Sequence, residues 1–231
     1  MSSSPIGTSI DRALEILRNG GVIGFPTETV YGLAADASNS VAINRIFDIK
    51  GRPRNHPLIV HLDSLAEARL WSADWSASAE ILGALFWPGP LTVIVTKALT
   101  VHLEVTGGLE TLALRVPNHA VALEVLRGLE GGIAAPSANK FGKVSPTTAE
   151  HVLADLGSEV DYILDGGPCS IGLESTIVDC STHHSDSPSR WYFARVDFSG
   201  PACIRTHDWS KSCSRNVGIP LCTDMSFDRR R

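Results

Sequence analysis

The sequence predicts an α/β protein with a twisted, mixed β-sheet and flanking helices. Short apolar runs typical of buried strands alternate with amphipathic stretches of helical period through residues 8–180, and glycines and prolines fall between them. No internal repeat or interdomain linker interrupts this span, so we expect one domain over residues 8–180. From residue 181 the chain is polar and has no sustained period, which predicts an atypical, flexible tail over residues 181–231.

The first predicted elements are a helix, a strand and a second helix. Residues 11–17 have the pattern of an amphipathic helix. Residues 22–25 are an apolar run between a Gly-Gly turn and Pro26, which predicts a short buried strand. Residues 40–49 form a helix with an apolar face, and the Asn-Ser pair at its start supplies a cap.

A cationic segment ends this second helix. Lys50, Arg52 and Arg54 alternate with a glycine and a proline, and a predicted strand that contains His61 follows over residues 58–62. An isolated basic turn of this kind is usually just solvated. Because glycine and proline fix the shape of the segment, and because guanidinium and ammonium groups suit phosphate oxygens, we predict an exposed loop that binds a phosphate ester.

The remaining elements are predicted from the same patterns. Helices are predicted over residues 64–71, 76–86 and 119–127, and from a capping box at residues 147–150 to residue 156, with glycines beyond the last two. Strands are predicted over residues 91–96, 111–116, 133–135, 162–164 and 175–180, and residues 191–198 are a further candidate.

Composition excludes several classes of protein. The sequence has no apolar run of membrane-spanning length and no secretory signal pattern at its start, so no membrane association is expected. Five cysteines without tight spacing favour a reducing, cytoplasmic compartment. The net charge is −5, and acidic residues outnumber basic residues over residues 1–180. General affinity for nucleic acid is therefore not expected, although a local basic cleft is compatible with this charge.

Several polar residues beside apolar runs are candidates for a site. Arg115 lies within the apolar run LALRVP, where it either extends to solvent or meets an anion such as a substrate carboxylate. Ser137 and Asn139 follow a short strand, as turn formers or as neutral donors to a nucleotide. Ser175 and Thr176 open the last strand, where hydroxyls are common.

Familiar catalytic and metal patterns are absent. The chain has no Gly-rich phosphate loop, no dinucleotide fingerprint and no nucleophile elbow. Three cysteines and a histidine of the tail match no ordinary zinc spacing; they are Cys203, His207, Cys213 and Cys222. We therefore predict no resident metal, and no sequence pattern indicates a catalytic nucleophile.

Seven blocks in order resemble the YrdC/Sua5 family of L-threonylcarbamoyladenylate synthases. They are PTETVYGL, KGRP with HPLIVHL, FWPGPLTVIV, LALRVP, APSAN, SPTTAEHV and ESTIVD, and the resemblance covers about residues 8–180. The resemblance implies a sheet curved around a large basic cavity. It also implies a reaction that joins L-threonine, bicarbonate and ATP and releases pyrophosphate, with Mg²⁺ as cofactor. The product of this reaction would be the precursor for N6-threonylcarbamoyladenosine at position 37 of tRNA.

The same resemblance implies roles for single residues. L-threonine is expected at Thr29, His61, Arg115, Ala135 and Ser175. ATP is expected at Lys50, Arg52, His56, Thr111, Ser137, Asn139 and Ser145. Lys50 and Arg52 are the expected catalytic residues, because they would neutralise the phosphates, and Arg115 would pair with the threonine carboxylate.

The chain departs from the family pattern at two places. His56 stands where many relatives have asparagine. The usual L-R-P-G turn that closes over the nucleotide is missing after ESTIVD, and Arg190 or Arg195 would have to supply its arginine.

Two other functions fit the same resemblance. One is a module that binds double-stranded RNA or tRNA in the same cleft without chemistry, which the acidic body disfavours. The other is a carbamoyl-phosphate-related transferase, which normally carries further regions that this chain has no room for. The synthase function implies a downstream partner, a tRNA threonylcarbamoyl transferase complex.

Overall fold

The alternating patterns of the sequence fold into a mixed sheet with helices on both faces. The computed structural model describes residues 5–181 and the backbone of Phe193–Ala194. Its strands are β1 Ile6–Gly7, β2 Ile23–Phe25, β3 Gly32–Asp36, β4 Ile59–His61, β5 Ser72–Asp74, β6 Leu91–Lys97, β7 Thr111–Arg115, β8 Ile133–Ala134, β9 Tyr162–Leu164, β10 Thr176–Asp179 and β11 Phe193–Ala194. Its helices are α1 Ile10–Arg18, α2 Ser40–Lys50, α3 Leu65–Leu70, α4 Ala77–Phe86, α5 Leu103–Thr106, α6 Ala120–Leu129 and α7 Ala149–Leu156, and a short 3₁₀ helix, Gly157–Glu159, follows α7.

The strand order mixes parallel and antiparallel neighbours. Across the described part of the sheet it runs β1-β9-β2-β3-β8-β4-β7-β6-β10-β11, and β5 pairs with β6 off this path. The pairs β1–β9, β2–β9, β4–β7 and β6–β10 are parallel, whereas β3 and β8 join their neighbours antiparallel. The predicted mixed sheet is confirmed.

Two apolar clusters lie on opposite faces of this sheet. Successive residues of a strand point to opposite faces, and Leu33 and Ala34 of β3 accordingly belong to different clusters. The smaller cluster packs α1 and α6 against β2, β8 and β9 through residues such as Leu17, Phe25 and Leu126. The larger cluster holds the buried apolar side chains of α2, α4 and α7.

The sheet face that carries the smaller cluster extends across β4 and β7, where it presents polar side chains. Leu112 and Leu114 of β7 belong to the larger cluster, so Thr111 and Arg115 point to the other face. β4 pairs with β7 in a register that sets His61 against Arg115. The strand register therefore brings together two candidate residues that are distant in sequence.

Helix α2 ends with Lys50, one of the candidate residues, and is fixed at both ends. The side chain of Asn39 accepts hydrogen bonds from the first-turn amides of Val41 and Ala42, so Asn39 is the cap. The helix ends at Gly51, whose φ of 62° is left-handed. Because only glycine adopts that conformation without penalty, the sequence Lys-Gly turns the chain sharply after Lys50.

The sequence-based predictions missed strands β1, β3 and β5, helix α5 and the short 3₁₀ helix. Strand β3 has the sequence GLAAD, and glycine and alanine are poor strand formers in isolation. It is nonetheless an inner strand, because β2 and β8 hydrogen-bond to its two edges. The short elements β5 and α5, of three and four residues, are below the length at which a period can be read.

Two predicted helix ends were wrong. Helix α6 continues through Gly128 to Leu129 and ends at Glu130, which has φ 57°. A Cβ on Gly128 would lie 2.6 Å from a methyl group of Leu14, so this glycine permits close packing of α6 on α1 rather than ending the helix. The cap of α7 is Thr148, one residue later than the capping box predicts, and it accepts from the amide of His151.

The predicted tail lies almost entirely outside the described residues. The exception is the backbone of β11, which pairs antiparallel with β10 inside the candidate strand at residues 191–198. Arg190, Arg195 and the cysteines beyond residue 181 lie outside the description. Among the described helices, none is long and apolar enough to span a membrane.

Candidate functional site

Arg115 is a buried cation at the end of β7. The residue is 3% exposed. Its Nε donates to the carbonyl oxygen of Gly89 at 3.3 Å, and its Nη1 donates to Oγ1 of Thr29 at 2.9 Å. Its Nη2 lies 2.8 Å from Oε2 of Glu28, an ion pair buried on both sides. Of the two alternatives left open by the sequence, Arg115 meets an anion, and the protein supplies that anion.

His61 lies beside Arg115 as a neutral ring. It is buried, and its ring packs edge to face against Phe25 at 6.0 Å between centroids. Burial, together with the positive charge of Arg115, lowers the pKa of His61 to about 3. The Nδ1 atom makes no hydrogen bond within the described residues. The ring therefore brings an unused polar atom, without a charge, next to the guanidinium.

The loop between β2 and β3 presents hydroxyl groups to the same place. Oγ1 of Thr27 donates to the carbonyl oxygen of Val30 at 2.7 Å and accepts from the amides of Thr29 and Val30, which closes a tight turn. The hydroxyls of Thr27 and Thr29 are 3.0 Å apart. This turn fixes the Thr29 hydroxyl against Arg115.

Ser175 and Ala135 are buried in neighbouring parts of the same face. The Ser175 hydroxyl lies 2.8 Å from that of Thr92, and the parallel pairing of β10 with β6 holds the two strands together. Strands β6 and β7 are antiparallel and pair Val93 with Leu114, so the preceding residue Thr92 lies opposite Arg115. Ala135 donates its amide to the carbonyl oxygen of Ile59. We call the group of Thr29, His61, Arg115, Ala135 and Ser175 the amino-acid subsite.

Lys50 is buried, and the prediction that it lies on an exposed loop was wrong. It is 3% exposed, because it is the last residue of α2 and points inward. Its Nζ donates to the carbonyl oxygens of Ser137 and Asn139. Burial is the main cause that lowers the pKa of Lys50 to about 7, and the neighbouring charge of Arg52 adds to it.

Arg52 and Arg54 face different surroundings. Nη2 of Arg52 donates to the carbonyl oxygen of Pro57 at 3.0 Å, and its Nε has no partner within residues 5–181. Arg54 instead pairs on the surface with Asp48, at 2.7 Å, and with Asn44. Lys50 and Arg52 thus form a cationic pair toward the interior, whereas Arg54 belongs to the solvated face.

Glu174 is a residue of this region that the sequence did not single out. Oγ of Ser145 donates to its Oε1 at 2.6 Å. Its negative charge acts on both Lys50 and Arg52, and in each it opposes the lowering of the pKa. The predicted site is therefore of mixed charge, with an acid beside the cations. The predicted large basic cavity stays a prediction.

Of the other residues expected at the nucleotide, Ser137 and Asn139 contact Lys50, and His56 lies near Arg52. His56 is half-buried, packs against Phe141, and has a pKa lowered by burial and by Arg52. Asn139 donates its amide to the backbone carbonyls of Lys140 and Lys143, so only its Oδ1 is left without a partner in the described part of the chain. Thr111 begins β7, four residues before Arg115 on the same face. We call the group of Lys50, Arg52, His56, Thr111, Ser137, Asn139 and Ser145 the phosphate subsite.

Backbone hydrogen bonds join the two subsites. Tyr31 lies at the end of the loop between β2 and β3. Its carbonyl oxygen accepts from the amide of Ala138, and its amide donates to the carbonyl oxygen of Pro146, both at 2.8 Å. Gly32 forms a bridge to Ser137. The loop that carries Thr29 is thereby attached to the loop whose carbonyls hold Lys50, and a ligand in one subsite would be close to a ligand in the other.

Comparison with known proteins places this site in a family. The model of the Sua5/YciO/YrdC family, described as telomere recombination, matches residues 15–189. The chain belongs to the Sua5/YciO/YrdC family. The matched range contains every residue of both subsites, so the sequence resemblance is confirmed.

Individual relatives of the family agree with this placement. A threonylcarbamoyl-AMP synthase of Pyrococcus abyssi is 46% identical over 167 residues, which are 72% of this chain and 49% of the relative. One of Schizosaccharomyces pombe is 41% identical over an alignment that covers 95% of this chain and 61% of the relative. The crystal structure of P. abyssi Sua5 complexed with L-threonine is similar with a TM-score of 0.75 and 43% identity, over 81% of this chain and 53% of that one. The chain spans less than two thirds of the length of each of these relatives.

Proposed function

We propose that the protein is a threonylcarbamoyl-AMP synthase, a nucleotidyltransferase that forms threonylcarbamoyl-AMP and pyrophosphate from L-threonine, bicarbonate and ATP. The observation that carries the proposal is the pair of adjoining subsites. Arg115 and its hydroxyl and imidazole neighbours suit the head group of an amino acid, and the Lys50–Arg52 pair suits phosphates. Relatives that bear this name, and a relative solved with L-threonine bound, support the same reaction.

The proposed chemistry needs no nucleophile from the protein. The threonine ammonium group first loses a proton to solvent. The amine nitrogen then forms a bond to the carbon of carbon dioxide with release of a second proton, or to the carbon of bicarbonate with release of water, which gives N-carboxythreonine. An oxygen of the new carboxylate then attacks the α-phosphorus of ATP, and the bond from that phosphorus to the bridging oxygen of pyrophosphate breaks. The residues contribute position and charge stabilisation, since the two substrates must meet in line and negative charge collects on the leaving group.

Each subsite has a distinct part in this reaction. Arg115 would hold the threonine carboxylate, with Thr29 and Ser175 as hydrogen-bonding partners and His61 as a neutral contact. Lys50 and Arg52 would neutralise the phosphates of ATP. Ser137, which already fixes Lys50 through its carbonyl oxygen, would position the nucleotide together with its neighbours His56, Asn139 and Ser145.

Mg²⁺ would enter with ATP. Magnesium in nucleotide sites is typically bound by substrate phosphates and one or two carboxylates. Glu174 fits this requirement, because its carboxylate lies by the phosphate subsite and is oriented by Ser145. When bound, the ion would neutralise charge on the phosphate oxygens.

The product requires a consumer. Threonylcarbamoyl-AMP is a mixed anhydride, so we propose that a tRNA threonylcarbamoyl transferase complex accepts it in the cytoplasm. RNA binding without chemistry is not favoured, since residues 1–180 carry a net negative charge and the named relatives are synthases.

The proposal is tested by pyrophosphate release. The full chain is incubated with ATP, Mg²⁺ and bicarbonate, with L-threonine, L-serine, L-alanine or no amino acid. Release that depends on L-threonine, with less from serine and least from alanine, is the expected result. ATP turnover that ignores the amino acid would contradict it.

A further inference from the structure

Glu28 is a buried carboxylate in the amino-acid subsite without a role in the proposed reaction. It follows Thr27 in the loop between β2 and β3 and is 4% exposed. Its backbone is held as well, because its carbonyl oxygen accepts from the amide of Ile171 at 2.9 Å. The carboxylate therefore points inward by construction of the loop.

The carboxylate of Glu28 lacks hydrogen-bond donors. Its Oε2 is 2.8 Å from Nη2 of Arg115, but the two groups are not aligned as a hydrogen bond, and neither Oε1 nor Oε2 has a donor among residues 5–181. Buried carboxylates ordinarily accept several hydrogen bonds, because burial of an unsatisfied charge is costly. A single misaligned cation leaves most of that requirement unmet.

The guanidinium of Arg115 is also incompletely used. Two of its nitrogens donate to Gly89 and Thr29, while Nη2 makes no hydrogen bond among the described residues. His61 Nδ1, on the neighbouring strand, is unpaired in the same sense. Unused donors on a cation and unused acceptors on an anion thus lie side by side at one buried place.

The ligand that satisfies both groups has two groups of opposite charge attached to one carbon atom. The head group of an α-amino acid meets this requirement, since its carboxylate accepts hydrogen bonds and its ammonium group has three N–H donors. A carboxylic acid without the amine would satisfy Arg115 alone. It would also bring a second negative charge beside Glu28, which is unfavourable in a buried site.

We propose that Glu28 binds the α-ammonium group of the amino-acid substrate and, with Arg115, selects a zwitterionic α-amino acid over a carboxylic acid of the same shape. The inference rests on the proposed function, because it takes L-threonine as the amino acid. It assigns Glu28 to direct contact with the substrate.

A different role for Glu28 would be to hold Arg115 in place. In that case its loss would weaken every ligand that uses Arg115 by the same factor, whether or not the ligand has an amine. Direct contact predicts a loss that is confined to ligands with the amine. The two roles are therefore separated by a pair of ligands that differ only in that group.

The wild-type full chain gives the first test, by calorimetric titration with L-threonine and with 3-hydroxybutanoate, which is threonine without its amine. We expect L-threonine to bind about a hundredfold more tightly, the order found when one partner of a buried charge pair is removed. Equal affinities would overturn the role of Glu28 while leaving the proposed function intact. If L-threonine itself does not bind, both proposals fail.

Variants give the second test. Glu28→Gln is expected to weaken L-threonine by roughly a hundredfold and to leave 3-hydroxybutanoate unchanged or bound more tightly, whereas Glu28→Asp retains the charge and is expected to recover part of the affinity. Glu124→Gln, on the exposed face of α6, is the matched control and is expected to bind as the wild type does. Equal weakening of both ligands in Glu28→Gln would show that Glu28 only holds Arg115.

Discussion

The ammonium group of Lys50 donates hydrogen bonds to the carbonyl oxygen of Ser137 and to that of Asn139, two residues further on. The end of α2 and the loop after β8 are joined by this contact. Lys50 therefore holds the conformation of the loop in the phosphate subsite and also supplies a positive charge to that subsite. Both roles are lost together when the side chain is removed.

We predict that Lys50→Ala and Arg52→Ala abolish measurable ATP binding by the full chain. Lys50→Ala should also lower the free energy of unfolding by about 2–4 kcal/mol, since two carbonyl groups lose their partner. Calorimetric titration with ATP and urea unfolding measure the two effects. Arg54→Ala is the control on the same segment, because Arg54 makes exposed surface pairs worth about 1 kcal/mol or less. ATP binding by Lys50→Ala at the wild-type level would contradict the assignment of the phosphate subsite.

The affinity for ATP should depend on pH through Lys50. Its pKa is lowered to about 7, so in the free protein Lys50 is charged below that pH and loses its charge above it. Phosphate esters are already ionised above pH 7, because their last pKa is about 6. Binding at pH 8 must therefore take up a proton, and affinity should decrease by up to about tenfold per pH unit above pH 7.

Lys50→Arg is the comparison for this pH dependence, because a guanidinium stays charged throughout the range. We expect its titration with ATP between pH 7 and pH 9 to be nearly flat, and calorimetry in buffers of different ionisation enthalpy to detect proton uptake only in the wild type. The same slope in both proteins would assign the pH dependence to another group.

The Arg115–Glu28 pair should make Arg115→Met strongly destabilising. This substitution leaves the carboxylate of Glu28 buried without its cation, which typically costs about 3–5 kcal/mol. The double substitution with Glu28→Gln removes that charge, so we expect it to be more stable than Arg115→Met alone. Urea unfolding at neutral pH compares both variants with the wild type. A double variant as unstable as the single one would mean that lost packing, not the unpaired charge, is responsible.

We predict that glycine is required at position 51 only because of its backbone conformation. Its φ of 62° is left-handed, and a Cβ built on it would meet no atom within 4 Å. Gly51→Ala is therefore expected to cost about 1–2 kcal/mol of stability from backbone strain alone, and Gly51→Asn less, because asparagine tolerates this conformation. Thermal unfolding distinguishes them. Equal stability of Ala and Gly at this position would contradict the strain.

Much of the fold was predictable because its elements have strong local patterns. Helix α2 has an apolar face, a capping Asn39 and a terminal Gly51, and each signal predicts the same element. β6 and β7 are β-branched or apolar runs of ordinary strand length. Strand β3 was not predictable in this way, since its Gly-Leu-Ala-Ala sequence becomes a strand through the two neighbours that pair with it.

The site was predictable in its residue types but not in its contacts. Arg115 within an apolar run indicated a buried anion as one alternative, yet Glu28 as that anion depends on the fold of the loop between β2 and β3. The alternation of Lys50 and Arg52 with Gly51 suggested an exposed turn. Lys50 is instead buried, because it is still part of α2 and its direction is set by the helix.

The most direct test of the proposed function is the identity of the product. The full chain is incubated with ATP, Mg²⁺, L-threonine and bicarbonate labelled with carbon-13, and the products are analysed by mass spectrometry. The proposed reaction predicts a threonylcarbamoyl-AMP ion that carries the heavy carbon, formed in equal amount to pyrophosphate and absent in Arg52→Ala. Pyrophosphate formed together with an adenylate that lacks the labelled carbon, or with none at all, would contradict it.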